Sequence, residues 1–188
     1  MIHEKLHLDV IMTRKNDKFV TLEERTQIAN LNNADLFISI HTNADKDQKA
    51  RGIETYFLNL STDDDAILEA ARENATSLKD ISDLNTILSD LMQNDKLNES
   101  ERLANQVQNS LYNQIKGKYS NVKNRGTKSA PFYVFLGTKM PAVLVATSFI
   151  SNPRECERLL SEEYQNDLCE GIVAGIENYI RERNSEQK

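Results

Sequence analysis

Three stretches put polar side chains where an enzyme of alternating helices and strands would use them. His41 closes the apolar run "ADLFISIH" (34–41), and a strand-end histidine can bind a metal or carry a proton. "LVATSFISN" (144–152) offers the hydroxyls of Thr147, Ser148 and Ser151, and "MTRKND" offers Arg14 and Asp17, which read as partners within a turn. A hydroxyl becomes a nucleophile only beside a base, and no base lies near these by spacing. The chain has no GxSxG elbow, and its six glycines are too scattered to cradle a phosphate. A catalytic zinc takes three protein ligands and a water, and His41 is one. His3 and His7 lie on or before the first expected strand, and nothing in the sequence brings them to His41. Ala146 lies within "LVATSFISN", where an apolar strand passes into a helix cap.

These side chains need a sheet to hold them. "LDVIMTR" (8–14) alternates Leu8, Val10 and Met12 with Ile11 on the other side, predicting a strand buried on both faces. "TLEER" predicts a capping box, with Thr21 as N-cap and Glu24 at the third helical position. Residues 34–41, 53–60, 130–137 and 141–149 predict further strands. From Asp63 to about Lys118 the pattern is helical throughout. One stripe joins Leu78, Ile81, Leu84, Leu88 and Leu91, and a second joins Leu103, Val107, Leu111 and Ile115. Asn152, Pro153 and Glu155 open another helix. A last, long helix carries Leu168, Ile172, Val173, Ile176, Tyr179 and Ile180 on its apolar face. The fold class is therefore α/β: a mostly parallel twisted sheet with helices on both faces, in one domain spanning 1–188 with an inserted helical segment.

The 188 residues suit a single core, and the net charge of −6 argues against nucleic acid as partner. No apolar run reaches the roughly 20 residues of a membrane span. The opening "MIHEKLHLDV" is charged where a signal peptide would be apolar. Cys156 and Cys169, 13 positions apart in helical segments, read as small apolar residues rather than metal ligands. The residues by themselves thus describe an α/β domain with a site and incomplete chemistry.

The longer patterns resemble a known family. "TRKNDKFVTLEERTQIANLNNADLFISIHTNADKDQKARGIETYFL", "APFYVFLGTKMPAVLV", "SFISNPRE" and "LLSEEYQNDLCEGIVAGIENYI" are similar to the zinc-dependent N-acetylmuramoyl-L-alanine amidases. These cell-wall hydrolases cut the amide between the muramoyl lactyl group and the first alanine of the peptide stem. The resemblance implies peptidoglycan as substrate and a periplasmic or extracellular setting. It implies a Zn2+ ion held by three residues, of which His41 matches one. The other two, a histidine after a first strand and a glutamate on a first helix, have no counterpart, so the resemblance implies a domain lacking that strand and helix. Glu4 then belongs to the end of the absent helix. The family places a proton-transferring glutamate where this chain has Ala146, which implies a catalytically impaired domain. Regulated relatives carry an inserted helical stretch that covers the metal until an activator protein displaces it. Residues 73–100 correspond to that stretch, with Glu73 as candidate autoinhibitory acid. Two alternatives stand beside this reading: a non-catalytic module binding peptidoglycan or an activator, and a helical interaction protein acting through 73–116.

Overall fold

The computed structural model describes every residue except 62, 82, 84–94, 187 and 188. Four strands form one sheet: β1 (Phe37–Asn43), β2 (Ile53–Phe57), β3 (Asn124–Ser129) and β4 (Ala142–Phe149), in the order β1-β4-β2-β3. β1 runs parallel to β4 and β3 parallel to β2, while β2 and β4 are antiparallel. The central strands β2 and β4 are buried along their whole length, polar Glu54, Thr55, Thr147 and Ser148 included.

Helices cover both faces. On one lie α2 (Leu22–Leu31), α3 (Asp64–Glu73) and a 3-10 turn at Tyr133–Phe135, over Phe37, Tyr56, Leu144 and Ala146. On the other lie α4 (Asp95–Ile115) and α6 (Glu162–Glu186), over Ile53, Phe57, Val143 and Val145. The short α1 (Ile2–Leu6) sets Ile2 and Leu6 against this second core, and α5 (Pro153–Leu159) links β4 to α6. Thr21 caps α2 through the expected reciprocal bonds with Glu24, and Asn152 caps α5 with Pro153 behind it. Leu103, Val107, Leu111 and Ile115 are fully buried against the second core. In the other stripe Ile81 is buried and Leu78 exposed, while Leu84, Leu88 and Leu91 lie outside the described residues.

Two expected strands are absent among the described residues. Residues 8–12 carry no regular structure, and Val10, Ile11 and Met12 are 48%, 48% and 59% exposed. Alternation makes a strand only where a neighbouring backbone can bond to it, and residues 9–12 have no hydrogen-bond partner among the described residues. The apolar "APFYVFLG" is likewise not a strand. Ala130, Phe132 and Phe135 turn into the core around the 3-10 turn, with Phe132 edge-on to Tyr56 at a 5.1 Å centroid distance. The fourth strand is instead the polar "NRGTKS" (β3), half-exposed at a sheet edge.

Candidate functional site

His41 stands near the C-terminal end of β1 and Glu73 is the last residue of α3. Asp63 caps the start of α3, accepting from the backbone N–H groups of Asp65 and Ala66. Its other end is held by Asn74, whose side chain donates to the Pro131 carbonyl at 2.9 Å and accepts from the Tyr133 N–H at 2.7 Å. Fixed at both ends, α3 delivers Glu73 Oε2 to 2.8 Å from His41 Nδ1. The other ring nitrogen, Nε2, is hydrogen-bonded to Ser39 Oγ, also at 2.8 Å. Arg72 ties the same helix end to β1 by donating to the Ala44 carbonyl. Both nitrogens of His41 are therefore engaged.

Ala146 is the register partner of His41 across β1 and β4, and of Glu54 across β4 and β2. It is 1% exposed, and its methyl packs with Tyr56, Leu144 and the rest of the first core. Thr147 donates from Oγ1 to the His41 carbonyl at 3.1 Å, Ser148 bonds the Tyr164 hydroxyl, and Ser151 accepts from the Asp45 N–H. These three hydroxyls bind the scaffold together. A cavity of about 910 Å³ opens beside His41 and Glu73, bordered by Arg14, Phe19, Arg25 and, from α6, Ile172.

A buried cluster next to Ala146 was not legible as a site. Glu54, 2% exposed, receives Arg125 Nε at 3.0 Å and Lys128 Nζ at 3.3 Å, and the Asn43 amide also donates to it. Arg125 stacks over Phe149 at 5.0 Å from the ring centre. The one signal in the sequence was a charged residue inside the run "IETYF", since a carboxylate in a buried strand needs partners. Glu155 also serves structure: its carboxylate accepts from the Gly52 N–H at 2.8 Å and the Phe149 N–H at 2.7 Å.

Glu69, on α3, is 7% exposed. Burial pushes its carboxyl up to about 7; Arg72 opposes the rise, and the charges of Glu73 and Glu54 add to it. An acid harder to ionise folded than unfolded destabilises as it is forced to ionise. The loss accrues from the unfolded value, about 4.5, to about 7 and is complete above that. Glu69→Gln should therefore match the parent at pH 4 and exceed it at pH 8, by at most about 3 kcal/mol, in urea unfolding at the two pH values. Equal stabilities at both would contradict the desolvation of Glu69.

The profile of the N-acetylmuramoyl-L-alanine amidase family, Amidase_3, matches residues 2–178. The chain belongs to this family. Among curated relatives it is 32% identical over 171 residues to the amidase LytC of Bacillus subtilis (strain 168), covering 91% of this chain and 27% of that protein. It is 32% identical over 185 residues to the amidase AmiC of Neisseria meningitidis serogroup B, covering 94% and 43%. It is 34% identical over 169 residues to the uncharacterised YqiI of Bacillus subtilis, covering 90% and 63%. The amidase-family chain thus spans under two thirds of the length of each. Among solved structures, the amidase of Clostridium difficile 630 superposes with TM-score 0.68 at 28% identity, over 96% of this chain and 78% of that one. AmiC2 of Nostoc punctiforme does so with TM-score 0.68 at 29% identity, over 96% and 77%.

The zinc that the family resemblance implies can be tested against the residues present. Among the described residues no group of three His, Cys, Asp or Glu side chains is placed to hold a metal. His41 and Glu73 make two donors already bonded to each other, short of the three a catalytic zinc needs. The described residues of the amidase-family chain, as they stand, do not fit the ion. His3 and His7 stay with α1, where His3 contacts the Leu8 carbonyl. Cys156 and Cys169 are free thiols on α5 and α6. No described helix is long and apolar enough to cross a membrane.

Proposed function

We propose that residues 1–188 act on the cell-wall side as a peptidoglycan-directed amidase-family domain in which cleavage of the lactyl–L-alanine amide is lost or severely weakened. The carrying observation is Ala146 in register beside His41: the position facing the histidine holds a methyl group, which transfers no proton. A missing general acid–base group alone lowers such a rate by about 10²- to 10⁴-fold. The incomplete donor set around His41 supports the same reading from a second direction. Zinc is no part of the chemistry assigned to this chain. What its residues retain is a cleft with cationic and apolar walls, suited to an acidic, methyl-rich peptide stem.

Within this reading Glu73 is an autoinhibitory acid that closes the cleft by its bond to His41, and the segment 73–100 is the regulatory stretch. An activator protein docking on that stretch would draw Glu73 away. A partly buried hydrogen bond of this kind contributes about 1 kcal/mol. Glu73→Ala should accordingly bind a soluble muramoyl-peptide about fivefold more tightly, by titration calorimetry. Unchanged affinity would remove Glu73 from the role. The proposal as a whole is tested by co-sedimentation with insoluble peptidoglycan: the protein should pellet with the wall and release no new alanine amino termini. Protein that stays in the supernatant at low salt would refute the binding half.

A further inference from the structure

We propose that the end of the sheet where β2 and β3 begin carries a membrane-docking surface that rests on anionic phospholipid headgroups. Three segments meet there: the loop from β1 to β2 (44–52), the approach to β3 at Lys123, and the start of α5. Backbone and side-chain bonds join them. The Ile53 N–H donates to the Lys123 carbonyl at 3.0 Å, and Asn152 Nδ2 donates to the Ala50 carbonyl at 3.1 Å. The Asp45 N–H donates to Ser151 Oγ at 2.9 Å, and buried Glu155 accepts from the Gly52 N–H at 2.8 Å. Gly52, at φ 109°, passes so close to Lys123 that a Cβ there would stand 2.2 Å from its carbonyl oxygen. The three segments are therefore one continuous surface.

Its exposed charge is mainly positive. Lys46, Lys49, Arg51, Lys123 and Arg154 are exposed, and none makes an ion pair among the described residues. Of the nearby acids, Glu157 is exposed, while Asp45 and Asp47 accept from the N–H groups of Asp47 and Lys49 and so shape the loop. In a chain of net charge −6, this surface makes a local field of the opposite sign. Apolar side chains accompany the cations. Ile150 precedes α5 and Leu160 follows it, 51% and 83% exposed. Ile150 sits beside the loop, its N–H donating to the Asn43 carbonyl at 2.8 Å. A hydrated anionic polymer would engage the cations alone. A bilayer interface takes both, headgroup phosphates for Lys and Arg and the acyl boundary for isoleucine and leucine. None of these residues borders the cleft at His41, and the inference stands whether or not the domain acts on peptidoglycan.

The test is co-sedimentation with sucrose-loaded vesicles of phosphatidylglycerol and phosphatidylcholine, beside vesicles of phosphatidylcholine alone. We expect pelleting with the first at low salt, at least about tenfold weaker binding to the second, and release at about 0.5 M salt. Each Lys or Arg near an anionic bilayer is worth about fivefold in partitioning. Lys46→Glu with Lys49→Glu should therefore weaken binding by at least about tenfold, and Ile150→Ser by about fivefold. The control is Arg181→Glu. It lies towards the end of α6 that meets Arg102 near the start of α4, whereas this surface lies beyond the end of α4. That variant should bind like the parent, and all three should melt within a few degrees of it. Equal binding to both vesicle types overturns the proposal, as does parent-like binding by the double lysine variant or the same loss from Arg181→Glu. Inorganic polyphosphate binding as tightly as the vesicles, with Ile150→Ser making no difference, would make an anionic polymer the partner and overturn it as well.

Discussion

Glu54→Ala should cost about 3 kcal/mol of stability or more, the range for removing one partner of a buried charge cluster. The carboxylate is 2% exposed and answers Arg125, Lys128 and the Asn43 amide at once. Alanine leaves two cations in the half-buried space between β2 and β3, with weaker substitutes: Lys128 keeps Asp63 at 3.4 Å and Arg125 keeps Asp65 at 3.8 Å. Those contacts hold the loss near the lower end of the expected range. Glu54→Gln preserves an acceptor for Asn43 and should lose about half as much. Raising the salt should change either value little, because the cluster is largely shielded from solvent ions. Chemical unfolding of the three proteins settles it. A loss under about 1 kcal/mol for alanine would mean that water reaches the cluster and that β2 is not locked by it.

Gly175→Ala should destabilise the domain by about 2–3 kcal/mol, lowering Tm by roughly 5–10 °C for a chain of this size. Gly171 and Gly175 lie one turn apart on α6 and let its backbone touch that of α4. A Cβ at Gly175 would stand 2.4 Å from the Val107 Cα and 2.9 Å from the Gln106 carbonyl oxygen. These are main-chain atoms that no rotamer change can move, so the two helices must separate. That separation loosens the buried row Leu103, Val107, Leu111 and Ile115. Alanine's better helix propensity returns only about 1 kcal/mol. Gly117→Ala is the matched control, since a Cβ there meets nothing within 4 Å, and it should stay within about 0.5 kcal/mol of the parent. Thermal melts in which both variants behave alike would contradict the close approach of α4 and α6.

The elements that were legible in the sequence are those whose signal is local. The Thr21–Glu24 box, the Asn152–Pro153 cap and the buried stripe of α4 depend on neighbours three or four residues away, and all appear where their spacing places them. The failures depend on distant partners. Residues 8–14 have the right alternation and no backbone beside them to pair with. β3 has a poor alternation, yet β2 supplies one edge to bond with and Glu54 draws in its Arg125 and Lys128. The candidate site divides the same way. His41 stood out because it ends an apolar strand, and Ala146 because a family resemblance marks that position. The meeting of Glu73 with His41 depends on Asn74 reaching the turn at Tyr133, 59 positions away. The Glu54 network joins residues up to 74 positions apart, and a single acid in "IETYF" was its only local trace.

The most direct test of the central claim is the rate at which this protein frees alanine amino termini from a soluble muramoyl-peptide with zinc supplied in excess. It should be run beside an intact member of the amidase family. The account predicts a rate at least about 100-fold below that enzyme, with Ala146→Glu alone restoring none of it, because the donor set at His41 stays incomplete. Turnover within tenfold of the intact enzyme would contradict the account, and would mean that another group performs the proton transfer that Ala146 cannot.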